Sequence, residues 1–152
     1  MTHTVNRWHC HPDDRLRNSG DTIDAHQFRV SVMCDKFAIS LKFPDSRREE
    51  LFFAARNHDE AEKVLGDMPV PAKERFPALA AVYAEAEKTV LLEMLLHWSL
   101  TDQEAAILHL ADKLDAEIWA RKHGVTGSHD CDKLQSMADD LGLGKMVKGM
   151  LA

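Results

Sequence analysis

Much that would announce a function is missing from this chain. There is no Cys-x-x-Cys pair, and the three cysteines, Cys10, Cys34 and Cys131, lie far apart. An odd, scattered set builds no disulfide framework and fits a reducing compartment, so a cytoplasmic protein is expected. Basic residues are in the minority: 19 Lys plus Arg stand against 25 Asp plus Glu, for a net charge of −6. That balance argues against a general binder of nucleic-acid polymers, which shows a basic face. It leaves room for a small anionic substrate in a locally basic pocket. No apolar run approaches the roughly 18 residues that span a bilayer, and the polar residues 1–7 do not read as a signal peptide, so no membrane partner is expected. Repeats, low-complexity tracts, linkers and convincing strand patterns are also missing. What is left, with 152 residues and 45% hydrophobic content, is a single all-α domain with a real core.

The helices are read from spacing. Residues 1–20 are polar and irregular, and carry Arg7-Trp8 followed by Arg15 and Arg17. Asp21-Thr22 offers an N-cap for a helix over 23–41, whose expected core stripe is Phe28, Val32, Ala38, Ile39 and Leu41, widened by Val30, Met33 and Phe37. After a break at Pro44-Asp45-Ser46, a second helix runs over 47–57, and a short one over 60–65. Pro77 opens a long helix over 78–96, with Ala80, Ala81, Ala84, Val90, Leu91, Met94 and Leu95 as its expected core face. Thr101 and Glu104 form a capping box for the next helix, which Gly124 ends. A loop over 125–131, a polar helix over 132–141 and an apolar tail from Gly142 follow; the tail packs either on the domain or on a neighbouring subunit.

Four candidate metal ligands stand on separate helices: His26, then His58-Asp59, then Asp112. The chain has nine histidines, so spacing and context decide which of them matter. Asp112 lies within Ala105–Trp119, a run that is nearly all apolar before it, and a carboxylate there calls for a partner. Two imidazoles and two carboxylates suit a divalent first-row ion, with positions left for water and substrate. Glu62, four residues past His58 and three past Asp59, returns to their face if the helix continues.

The order His26, His58-Asp59, Asp112 resembles the HD-domain metal-dependent phosphohydrolases, and is most similar to their small nucleotidase branch. That branch follows its His-Asp pair with a Glu and then a Gly-Asp-x-Pro-x-Pro-x-Lys turn. Here these are Glu62 and Gly66-Asp67-Met68-Pro69-Val70-Pro71-Ala72-Lys73. Arg7-Trp8 matches the pair upstream of the first His, and Leu110–Asp115 looks like the final-Asp helix. One departure is Ala25-His26-Gln27, where the branch usually has Glu-His-Ser.

The resemblance covers about residues 7–122, leaves 123–152 as a helical tail, and implies a compact HD-domain bundle. It implies an enzyme that hydrolyses deoxynucleotides at the 5′ phosphoester with Co2+, Mn2+ or Zn2+, Mg2+ being an alternative. Bacterial 5′-deoxynucleotidases and phage dATP triphosphohydrolases share the motif; the short chain and Arg-Trp-His lead-in look more like the phage type, which would work in a host cytoplasm. Glu62 is then the general acid or base, or else a surface acid paired with a lysine. Asp67 orients water, contacts the sugar, or caps the turn. Arg7 and Lys73 hold phosphate oxygens, with Lys113, Arg15 and Arg17 behind them. Trp8 stacks on base or sugar, or is a hydrophobic anchor. The cation count leans toward a dNTP triphosphohydrolase of the dATP type; the alternatives are a 5′-deoxynucleotidase acting on dNMPs and a non-catalytic nucleotide-binding module. The resemblance and the apolar tail from Leu143 to Leu151 together imply a homo-oligomer.

Overall fold

A computed structural model describes residues 5–127 and 129–152. Residue 128, in the loop expected over 125–131, and the first four residues of the polar arm lie outside the described residues. In chain order the helices are α1 (Asp14–Arg17), α2 (Ile23–Ser40), α3 (Asp45–Asn57), α4 (Glu62–Leu65), α5 (Val70–Arg75), α6 (Pro77–Glu93), α7 (Asp102–Lys122), α8 (Cys131–Asp140) and α9 (Gly144–Leu151). Among the described residues no strand forms; the nearest thing is one isolated antiparallel bridge between Asn6 and Thr22. The all-α reading therefore stands. No helix among the described residues is long and apolar enough to cross a membrane.

Helices α2, α3 and α7 make the centre. Val30, Cys34, Phe37 and Ala38 of α2 meet Leu51 and Ala55 of α3 and Ile107, Leu110, Ala111 and Leu114 of α7, all fully buried. The two ends of α7 are as expected. Thr101 accepts from the Glu104 amide while the Glu104 side chain accepts from the Thr101 amide. Glu104 also receives Arg47 Nε at 2.6 Å, which pins the start of α7 to α3. Thr22 caps α2 by accepting from the Ala25 amide. The tail takes the first of its two expected places. Leu143 and Val147 are buried in the main core, and Met146, Met150 and Leu151 pack against it.

Two expected core faces are corrected. On α2 the buried face is Ile23, His26, Gln27, Val30, Ser31, Cys34, Phe37 and Ala38, whereas Phe28 is 55% exposed and Ile39 53%. Val30, Phe37 and Ala38 of the expected stripe are buried and Met33 and Leu41 pack against the core, while polar His26, Gln27 and Ser31 share the inner face, so the correction is confined to Phe28 and Ile39. On α6 the expected core face does not exist. The helix buries none of its residues, and Leu95 just beyond it is 89% exposed. Its main packing partners are α5 and α4, not the α2–α3–α7 centre. Ala-rich apolar sequence satisfied the helical pattern without there being a core for it to face.

Candidate metal centre

Each candidate ligand is held by a different local device. His26 sits one turn into α2 and is fully buried. Its Nδ1 faces Asp115 Oδ2 at 2.7 Å, so Nε2 points the other way. His58 terminates α3, and its Nδ1 donates to the Ala55 carbonyl at 2.8 Å, which likewise turns Nε2 inward. The helix does not run on to Glu62. A turn over 58–61 intervenes, and Gln27 ties it down: its Oε1 accepts from the Asp59 amide at 3.1 Å and its Nε2 donates to Glu60 at 2.8 Å. Asp112 rises from the middle of α7 beside them.

The inward atoms converge. His26, His58 and Asp112 each offer a ligand atom, all within 4.8 Å of one another. Asp59 joins them, with Oδ2 3.5 Å from His26 Nε2 and Oδ1 3.4 Å from His58 Nε2. Asp112 Oδ1 lies 3.2 Å from His26 Nε2, yet both imidazole Nε2 atoms are buried without an aligned hydrogen-bond partner. Buried polar atoms are rarely left so. Two lone pairs and several carboxylate oxygens aimed at one point suit a divalent cation.

Charge is arranged around that point. Burial alone would push the Asp112 carboxyl up, but the close approach of His26 and the nearby Arg7 and Lys113 hold it well below the usual carboxylate range. Arg7 Nη2 donates to Asp112 Oδ1 at 3.1 Å, and Lys113 Nζ is 3.5 Å from Asp112 Oδ2. Arg7 Nη1 is buried without a partner. On the other side lies a cluster of acids. Burial and the charges of Asp59 and Asp67 push Glu62 up to about 9, against the opposing pull of Lys73. Gly66 ends α4 with φ of 76°, a conformation that glycine adopts without strain, and its carbonyl accepts from Tyr83 Oη. Lys73 Nζ sits 5.7 Å from the Tyr83 ring. An open cavity of about 450 Å3 leads from His58 and Asp112 along α7 to Leu108, His109, Leu100 and Trp98.

The expected residues thus fall into two groups. Arg7 and Lys113 contact Asp112, whereas Asp67 and Lys73, with Asp59, act on Glu62 through their charges. Trp8 fits the anchor reading: it packs against Leu16, Ala120 and Val125, and its Nε1 donates to Asp21 at 3.0 Å. Arg15 is held by Asp13 and the Gly124 carbonyl, and Arg17 by Asp14 and the His11 carbonyl. Both are occupied away from the ligand atoms.

Sequence reasoning missed the support. Asp115, one turn past Asp112, holds His26 and is itself gripped by Arg29 Nε at 2.8 Å. Arg29 also donates to Asp21 at 2.9 Å and lies 4.3 Å over the Trp119 ring. Burial would raise Asp115, and its bonds to His26 and Arg29 outweigh that to keep it low. The three-residue step from Asp112 to Asp115 was the available signal. His129 was also passed over. It is part-buried with Nδ1 3.8 Å from Glu117, and burial together with the charge of Lys113 lowers its proton affinity, while Glu117 and Asp112 oppose this.

An all-α bundle whose His, His-Asp and Asp meet at one buried point belongs to the HD-domain phosphohydrolase class. Within that class, the model of the YfbR-like 5′-deoxynucleotidase family matches residues 2–139, and the chain belongs to that family. A 5′-deoxynucleotidase of Photorhabdus laumondii is 32% identical over 97 residues, covering 60% of this chain and 47% of that protein. One of Yersinia pestis (strain Pestoides F) is 31% identical over 97 residues, with the same coverage of 60% and 47%. The chain spans about half the length of these curated relatives. No solved structure matches it.

Proposed function

We propose that the chain is a metal-dependent 5′-deoxynucleotidase that releases inorganic phosphate from deoxynucleoside monophosphates. The observation that carries this reading is the convergence of the two unpartnered Nε2 atoms of His26 and His58 with the carboxylates of Asp59 and Asp112. The activity for which the relatives are named, 5′-deoxynucleotidase, supports the substrate class. So does the count of cations. Arg15 and Arg17, which the triphosphate reading needed, are spent on Asp13, Asp14 and main-chain carbonyls. Arg7, Lys113 and Lys73 remain, enough for one phosphate group.

His26, His58, Asp59 and Asp112 would hold the ion, Co2+, Mn2+ or Zn2+ by their mixed imidazole and carboxylate donor set, with Mg2+ the less well matched alternative. When bound, such an ion polarises a phosphoryl oxygen and makes a coordinated water a better nucleophile. The chain's own residues do the rest. Arg7 turns its free Nη1 to a phosphate oxygen, while Lys113 and Lys73 add charge from either side. The nucleoside occupies the cavity towards Trp98. Water adds to phosphorus, the bond from phosphorus to the 5′-oxygen breaks, and the departing oxygen takes a proton from Glu62; of the water's two protons one leaves on the phosphate and the other is returned to Glu62. Glu62 is suited to this because burial and its acidic neighbours keep it protonated. Asp67 serves that role through its charge, by sustaining the proton on Glu62. The unpaired state of all three cysteines fits a reducing cytoplasm.

The test is phosphate release from a panel of dNMPs and dNTPs with each of the four metals. Phosphate from dAMP, and none of the triphosphate from dATP, is expected. Triphosphate released from dATP with dAMP untouched would restore the triphosphohydrolase reading. Binding without turnover under any metal would leave a nucleotide-binding module.

A further inference from the structure

Residues 5–7 run antiparallel to residues 21–23, at the foot of the helix that carries His26. The Val5 carbonyl accepts from the Ile23 amide at 3.0 Å, the Arg7 amide donates to the Asp21 carbonyl at 3.0 Å, and Asn6 bridges to Thr22 between them. This pairing brings Arg7 to α7, where its Nη2 reaches Asp112 Oδ1. So short a pairing contributes little on its own against competition from water. The Asp21 side chain supplies what it lacks. It is buried, and its carboxylate accepts from Trp8 Nε1 at 3.0 Å and from Arg29 Nη2 at 2.9 Å. Trp8 in turn supports Arg7, whose guanidinium carbon lies 5.1 Å over the Trp8 ring.

Arg29 sets where that carboxylate sits. Its Nε and Nη2 donate to the two oxygens of Asp115 at 2.8 Å and 2.9 Å, and its guanidinium lies 4.3 Å over the Trp119 ring. Helix α7 therefore places Arg29, Arg29 places Asp21, and Asp21 places the Trp8 ring under Arg7. The contacts close on Asp112, one turn before Asp115 on the same helix. Starting α2 does not require the Asp21 side chain, since Thr22 supplies the cap. Its bonds go to Trp8 and Arg29, not to a candidate ligand. We infer that Asp21 is a positioning residue, which fixes the Arg7 guanidinium for a phosphate group through the Trp8 ring and the 5–7 main chain. The phosphate rests on the proposed function, whereas the tie between Asp21 and the arm does not.

Amide hydrogen exchange of the metal-free full chain, read by NMR, reports the tie without substrate, so its failure is distinguishable from failure of the hydrolase reading. Asp21→Asn keeps the shape of the side chain and removes its charge. The Arg7 and Ile23 amides should then exchange at least about tenfold faster, while those of Phe37 and Leu110 in the core keep their wild-type rates. Trp8→Phe cuts the same bond from the other side, keeps a ring in the packing, and should speed the same two amides. With metal and dAMP, Asp21→Asn should raise KM about tenfold and leave kcat within about threefold. In an Arg7→Ala background the same change should add nothing further to KM, because Asp21 acts through Arg7. Wild-type exchange at Arg7 and Ile23 in both variants overturns the inference. So does an unmoved KM, or a KM rise of the same size when Arg7 is already gone.

Discussion

The α2–α3–α7 centre and the α4–α5–α6 segment are built on opposite terms. In the first, His26 and Asp112 sit on long helices whose apolar faces are fully buried, His58 and Asp59 follow directly on a third, and each imidazole is locked by a hydrogen bond at Nδ1. In the second, short helices carry Glu62 and Lys73, the loop between them carries Asp67, and the one long helix buries nothing. Holding an ion needs fixed distances, which stiff, packed helices provide. Delivering a proton and a positive charge to a substrate that must enter and leave needs a part that can yield. The difference suggests that ion binding and proton transfer can be separated by mutation.

The sharpest separation is expected from Glu62→Gln. Phosphate release should fall by about 10^2 to 10^4-fold, while metal content measured by atomic emission stays that of the wild type. Loss of the metal along with activity would join the two regions. Next in size is stability. Leu110→Ala, in the centre, should cost about 2–5 kcal/mol in urea unfolding, whereas Leu79→Ala, on the exposed side of α6, should cost less than about 0.5 kcal/mol. Equal costs would mean that α6 belongs to the core after all. Asp115→Asn touches no candidate ligand atom aimed at the ion, yet it should weaken metal affinity in calorimetry by about 10 to 100-fold, because His26 loses the group that fixes its tautomer.

The smallest effect is on pH dependence. Glu62 is raised from 4.5 to about 9 in the folded chain. Between those values the folded chain keeps a proton that the unfolded chain releases, so the stability of the metal-free protein falls as pH rises through that window. Asp115 acts in the opposite sense: it is held low when folded, so its contribution is present above the ordinary carboxylate range and is lost on acidification. Thermal melts of metal-free protein should therefore decline from mildly acid to alkaline pH by about 1–2 kcal/mol, and Glu62→Gln should flatten that decline. An unchanged slope in the variant would place the titration elsewhere.

The ligand set was legible in the sequence because its chemistry is conspicuous there. The carboxylate of Asp112, coming after an apolar run, demands a partner, and His58-Asp59 followed by the Gly66–Lys73 turn is a distinctive string. The devices that hold the set were not legible. Asp115 and Arg29 look like ordinary helix charges until the fold brings them together. Gln27, set where the nucleotidase branch usually has a serine, shows its purpose only once the 58–61 turn lies against it. Helical spacing identified α6 as a helix, but spacing alone does not show whether an apolar helix has anything to pack on. The same blindness set Phe28 and Ile39 of α2 inward, where buried polar residues interrupt the apolar stripe.

The most direct test of the central claim is a crystal of this protein grown with Co2+ and read by anomalous scattering at the cobalt edge. One peak bonded to Nε2 of His26, Nε2 of His58 and carboxylate oxygens of Asp59 and Asp112 is the predicted result. An ion bound elsewhere, or no peak at those four side chains under saturating cobalt, would contradict it.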